Sequence, residues 1–125
     1  MPARKPEECD WLLMEAMNKG DLGTAVALHE PKATYVLDSG EVIMGRAAIR
    51  EAAQGFLALK PQFSFEVTAL LSGEGDRALT SARWSVTGID ANGKSFTATR
   101  KSMEVVRREA DGTWLFVIDN PHGGE

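Results

Sequence analysis

Glu104 carries the sharpest chemistry in the chain. It interrupts an apolar run, Ser102-Met103-Glu104-Val105-Val106. Hairpin register puts it beside Val106, Phe116 and Ile118. An acid among such residues has a raised pKa, because desolvation penalises the ionised form. Protonated, it donates a hydrogen bond to a carbonyl; ionised, it takes a proton. Thr80, Arg100, Ser102 and Asn120 fall on the same strand face by the same register. Polar groups taken out of water cost free energy unless they are paired. Their collection on an apolar face predicts a hollow that holds water or a ligand. Arg100 and Glu104 are four apart on a strand, about 13 Å along it, so they do not simply pair.

That register comes from two turns. A three-residue loop at Ala91-Asn92-Gly93 pairs Asp90 with Lys94, and counting back sets Trp84 opposite Arg100 and Thr80 opposite Glu104. A similar loop at Ala110-Asp111-Gly112 sets Val106 opposite Phe116, Glu104 opposite Ile118 and Ser102 opposite Asn120. Both hairpins agree on the faces. The inward face then holds Trp84, Val86, Phe96, Trp114, Phe116 and Ile118, and Trp84 beside Arg100 is placed to stack on a flat ligand. The outward face holds Met103, Val105, Leu115, Val117 and Asp119, and the first four form an apolar cluster suited to a second subunit. His29 reads as a packed or capping residue at a helix end, His122 as a residue near the mouth, and Asp38 in Asp38-Ser39-Gly40 as ordinary turn chemistry.

The elements that position these residues follow from periodicity. Pro6 to Lys19 forms a helix, with Pro6 in the first turn, Glu7 and Glu8 at its positive end and Gly20 ending it. Its apolar stripe is Cys9, Leu12, Leu13, Ala16 and Met17. Asp21 caps a short second helix that Pro31 stops. Thr34 to Leu37 and Val42 to Met44 make a hairpin. A third helix from Arg46 to Leu59 carries Ile49, Ala52, Ala53, Phe56 and Leu57, with Phe56 leaning toward the hollow. Phe63 to Leu71 alternates with period two, and strands continue to Asn120. Helices first, a small hairpin, a helix, then an antiparallel meander define an α+β fold: a conical curved sheet packed on three N-terminal helices.

At 125 residues, residues 1–125 form a single domain with enough length for a real core. The net charge of −4 argues against nucleic acid, which needs a concentrated basic surface. No run approaches the roughly 20 apolar residues of a membrane span, and the first residues lack a signal peptide's apolar stretch. The single Cys9 cannot form an internal disulfide, which fits a reducing, cytoplasmic setting. No metal-ligand spacing, phosphate loop or serine nucleophile elbow is present, so neither a metal nor a cofactor is expected.

Asn18-Lys19-Gly20-Asp21 after the first helix, Gly45-Arg46-Ala47-Ala48-Ile49-Arg50-Glu51 opening the third, and the ending Ile118-Asp119-Asn120-Pro121 make the chain resemble the SnoaL-like and ketosteroid-isomerase-like proteins of the nuclear transport factor 2-like superfamily. The likeness covers nearly the whole chain. It implies a curved sheet around a conical pocket, and a homodimer through the outer sheet face. Ketosteroid isomerase works with an Asp base, a Tyr and a protonated Asp. The resemblance maps its base near Asp38 and its protonated acid onto Glu104. Its tyrosine position is Leu13 here. The polyketide-cyclase branch relies on histidine and aspartate in the pocket.

Together these readings make the chain a pocket protein for a small apolar molecule bearing a carbonyl or hydroxyl. As an enzyme it would move protons next to a carbonyl, in isomerisation, cyclisation or dehydration. Asp38 would be base and Glu104 hydrogen-bond donor, with Asn120 and Ser102 orienting and Arg100 and Trp84 holding the substrate beside Thr80, Phe56, Trp114 and Ile118. The alternative is a non-catalytic ligand-binding or dimerisation module.

Overall fold

The computed structural model describes residues 2–124. The helices are α1 (Pro6–Lys19), α2 (Leu22–Ala27) and α3 (Arg46–Leu57). The strands are β1 (His29–Val36), β2 (Val42–Met44), β3 (Gln62–Leu71), β4 (Arg77–Ile89), β5 (Ser95–Lys101), β6 (Met103–Arg108) and β7 (Trp114–Asn120). They form one seven-stranded sheet in the order β2-β1-β7-β6-β4-β3, with β5 also on β4. The sheet is curved and unclosed, and the helices pack on its inner face. α1 begins at Pro6, whose missing N–H is not needed in a first turn. It ends at Gly20, which adopts φ +73, a left-handed conformation open to glycine at no steric cost.

β4 is the spine. It pairs with β3 along one edge and with β5 and then β6 along the other. The run expected as one strand is broken at Ser102. There the Ser102 hydroxyl accepts from Ala82 N–H at 2.9 Å while Ser102 N–H donates to the Ala82 carbonyl at 2.8 Å. A side-chain oxygen thus stands in for a ladder carbonyl, and the sheet bends between β5 and β6.

Two features of the far edge differ from the expected meander. β1 starts at His29, earlier than expected, and runs parallel to β7. Its register jumps between His29 and Thr34, across Pro31, which has no N–H to give the ladder. β7 carries a bulge against β6: Val106 faces Phe116, but Val105 faces Ile118. Val117 is therefore the extra residue. From there the pairing is shifted by one, so Glu104 faces Asp119, not Ile118, and Met103, not Ser102, faces Asn120. Ile118 turns outward, 40% exposed, and Asp119 turns inward, 2% exposed. Both outcomes reverse the faces expected from unbroken alternation.

The core lies at two ends of the inner face. Cys9, Leu28, Val106, Trp114 and Phe116 fill one end. Trp84 and Val86, with Phe56, Phe63 and Phe96 against them, fill the other. Between β4 and the α3–β3 turn the approach is closest at Gly88. A Cβ there would lie 2.8 Å from the Leu59 carbonyl and 2.8 Å from the Phe96 ring. That carbonyl already accepts from Ile89 N–H at 2.8 Å. Gly88→Ala is expected to destabilise the fold by about 1–3 kcal/mol through overpacking, read as a lower urea midpoint at unchanged slope.

Candidate active site

Between the two core ends lies a cavity whose volume, measured for water-sized spheres, is about 60 Å³. A water needs roughly 10–15 Å³ on that measure, so there is room for a few waters or a small organic molecule. α1 gives the cavity Asp10, Leu13, Met14 and Met17, spaced as one helical stripe. α3 gives Ile49, Ala53 and Phe56 by the same logic. The sheet supplies His29, Tyr35, Trp84, Ser102, Glu104 and Asp119. Pro121 closes one side, and the Trp84 indole N–H donates to its carbonyl at 2.9 Å.

Two proton-sharing pairs stand in this cavity. In the first, His29 Nδ1 lies 2.9 Å from the Ala25 carbonyl and Nε2 lies 2.8 Å from Asp119 Oδ2. A carbonyl only accepts, so Nδ1 carries a hydrogen. A second proton must then sit between Nε2 and Asp119, making the pair an imidazolium with a carboxylate or their neutral equivalents. Both side chains are almost wholly out of solvent.

The second pair is Asp10 with Glu104. Thr80 Oγ1 lies 2.9 Å from Glu104 Oε1 and 3.3 Å from Asp10 Oδ1. One hydroxyl hydrogen cannot serve both, so one acid must bring its own. Asp10 Oδ2 is buried with no N–H or hydroxyl to accept from among the described residues, and the Glu104 acid proton is the hydrogen at hand. Burial pushes Glu104 up to about 11, helped by the charges of Asp10 and Asp119 and by its hydrogen bond to Asp10. Burial also pushes Asp10 up to about 7, against the hydrogen bonds from Glu104 and Thr80 that pull it down. Two carboxyls this close cannot both ionise, and Glu104 keeps the proton. Among the described residues, no set of three or more His, Cys, Asp or Glu side chains is arranged to hold a metal ion.

A sequence profile for the SnoaL-like domain matches residues 12–117. The chain belongs to the SnoaL-like domain family. Solved structures agree on the fold. A ketosteroid isomerase-like protein from Erwinia carotovora atroseptica superposes with a TM-score of 0.80 at 16% identity, covering 90% of this chain and 88% of its own. A nuclear transport factor 2-like superfamily protein from Salmonella enterica serovar Typhimurium gives 0.76 at 16%, covering 91% and 84%. Aln2 from a Streptomyces species gives 0.73 at 23%, covering 86% and 80%. At these identities the likeness is one of fold. No curated protein sequence matches the chain. Among the described residues no helix is long and apolar enough to cross a membrane.

This SnoaL-like domain brings together part of the set expected from sequence. Glu104, Ser102, Trp84 and Phe56 line the cavity. Thr80 stands behind Glu104, fully buried, and fixes both acids. Asp38 does not join them: its side chain is 84% exposed on the β1–β2 turn, 3.7 Å from His122 Nε2. Arg100 lies outside as well, beside Arg83, Thr99 and Lys101, with Nη1 donating to the Thr99 carbonyl. Trp114 packs in the core end with Cys9 and Phe116. Ile118 points outward, and Asn120, past the bulge, is not in the cavity wall. His29, Asp119, Asp10 and Tyr35 were missed. Asp10 had a signal, since it precedes Leu13, Met14 and Met17 by three, four and seven residues. The inward turn of Asp119 had none without the bulge.

The raised carboxyls link stability to pH. Each binds its proton more tightly folded than unfolded, so its contribution is full below its unfolded pKa of 3.8 or 4.5 and is lost as pH rises toward about 7 for Asp10 and about 11 for Glu104. The urea midpoint should therefore fall from pH 5 to pH 9. In Glu104→Gln, which keeps the neutral shape, that fall should shrink. An equally steep fall in the variant would show that Glu104 does not hold its proton in the folded state.

Proposed function

We propose that this domain is an acid–base enzyme for a small molecule, moving a proton next to a carbonyl with its own side chains. The observation that carries the reading is two buried proton-sharing pairs facing one small, aromatic-walled cavity. The Asp119 carboxylate, paired with the His29 imidazolium, takes the proton from the carbon beside the carbonyl; the C–H electron pair moves into the enolate. As charge develops on the carbonyl oxygen, protonated Glu104 turns its proton from Asp10 to that oxygen, where a donor in a dry site is worth most. Return of the proton to another carbon gives isomerisation. Attack of the enolate on a second carbonyl gives cyclisation, and departure of a hydroxyl as water gives dehydration. The base is thus drawn from the cavity wall, in place of Asp38.

The first step has a test that needs no known substrate. In D2O, the protein should speed deuterium uptake at the carbons beside the carbonyl of small ketones, followed by proton NMR. Asp119→Asn and Glu104→Gln should each lower the catalysed rate by roughly 10²–10⁴, the usual weight of a general acid or base. Rates unchanged in both variants would remove the chemistry. A second reading is a non-catalytic binding or dimerisation module, favoured by the modest cavity volume of about 60 Å³. A ligand that copurifies and stays chemically unchanged on prolonged incubation would establish it.

The same proposal includes a second copy of the chain on the outer sheet face. Leu79, Met103 and Ile118 are each at least 40% exposed there, beside Val105, Leu115 and Val117. An exposed apolar patch of this kind marks an interaction surface. Sedimentation should give twice the 13.6 kDa chain mass, and Met103→Glu should halve it; a wild-type monomer at micromolar concentration would overturn the dimer. A reducing, cytoplasmic setting belongs to this reading too, on the strength of unpaired, buried Cys9.

A further inference from the structure

Tyr35 lies on β1 directly across from Asp119 in the parallel ladder, so both side chains take the inner face. Its ring sits 6.3 Å from the His29 ring at a 55° tilt, in the cavity wall. Burial raises its phenol pKa, and the charges of Asp119 and Glu104 raise it further, so the O–H stays intact. Yet the phenol has no hydrogen-bond partner among the described residues. The other donors near it are occupied. His29 uses both nitrogens, Trp84 Nε1 is held by the Pro121 carbonyl, and Thr80 serves the carboxyl pair. A phenol facing a cavity with nothing to donate to is a group left for a ligand.

The charges of the wall narrow the ligand further. Three carboxyls and one imidazole line the cavity, and no lysine or arginine does. An anion would meet acids at short range with no cation to offset them, in surroundings where screening is weak. An ammonium would find acids but has no lone pair for a phenol to donate to.

We propose that Tyr35 is the ligand-orienting donor of this cavity, and that its ligand is an uncharged molecule presenting a carbonyl-type acceptor. The assignment rests on reading the cavity as a ligand site; it does not depend on chemistry taking place there. It also supplies, from β1, a phenol where the α1 position expected for one holds Leu13, which itself lines the cavity.

The test uses ring-matched probes. Cyclopentanone, cyclopentane, cyclopentanecarboxylate and cyclopentylammonium are titrated at neutral pH against wild type and Tyr35→Phe, following the methyl signals of Ile49, Met14 and Met17. Phenylalanine keeps the ring, and unchanged thermal unfolding checks the fold. Wild type should bind the ketone about five- to tenfold tighter than cyclopentane, the usual weight of one net hydrogen bond. Tyr35→Phe should erase that preference and leave cyclopentane unaffected. The carboxylate should bind at least tenfold more weakly than the ketone. A ketone preference that survives in Tyr35→Phe, a carboxylate bound as tightly as the ketone, the ammonium bound tightest, or no probe bound at all would each overturn the assignment. If the ketone preference depends on Tyr35 while deuterium uptake is absent, the enzymatic reading falls and this one stands. If uptake is fast and depends on Asp119 while the ketone preference ignores Tyr35, the reverse holds.

Discussion

One extra residue in β7 decides what this cavity contains. Strand side chains alternate, so a regular strand with Phe116 inside would place Ile118 inside and Asp119 outside. The bulge at Val117 puts two successive residues on the outer face and returns Asp119 to the inner one. His29 then has its carboxylate at 2.8 Å, and Glu104 acquires a second acidic neighbour. The same insertion sends Ile118 to the outer face, beside Met103 and Val105. A single change of register therefore builds the polar interior and enlarges the apolar exterior together. The matching break in β1 across Pro31 lets His29 sit at the level of Phe116 while Tyr35 pairs with Asp119.

The interior so formed is expensive to hold. Buried ionised carboxylates cost several kcal/mol each unless paired, and three of them share one small volume. The structure resolves this by sharing protons. Glu104 stays neutral, Thr80 bridges it to Asp10, and Asp119 has His29. Groups held between protonation states in this way are what acid–base work needs. They are also poor at stabilising a fold, and the apolar ends of the core around Trp114 and Trp84 carry that load.

The architecture was legible in the chain because its signals are local. Pro6 and Gly20 bracket α1, Gly45-Arg46 opens α3, and the glycine turn at Ala91-Asn92-Gly93 sets the registers of β4 with β5 and of β4 with β6 as observed. Glu104 was legible for the same reason: its neighbours across β4 follow from counting. The rest of the site was not, because it is non-local. His29 reads as a helix end until β7 runs parallel beside it. Asp119 reads as outward until the bulge is known, and no residue type marks Val117 as extra. Asp10 stands past the first-turn acids Glu7 and Glu8, and the stripe read along α1, Cys9, Leu12, Leu13, Ala16 and Met17, leaves it out. Asp38 and Arg100 were drawn in by position along the chain, and solvent and a separate groove claim them instead.

Closure of the cavity and protonation of its acids are one effect. The Trp84 indole holds the Pro121 carbonyl, and the His122 ring packs edge-on against the same indole at 5.6 Å. That contact keeps the last turn over the cavity and Glu104 away from bulk solvent. Exclusion of water is the largest cause of the raised Glu104 pKa, ahead of any neighbouring charge. Loosening the last turn would admit water, lower the penalty on ionised Glu104 and surrender its proton at neutral pH. The aromatic wall thus does more than shape a ligand's surroundings: it sets the protonation state of the acid that faces the ligand. Trp84, which looks like an ordinary core tryptophan, is tied to the chemistry through solvent rather than through contact.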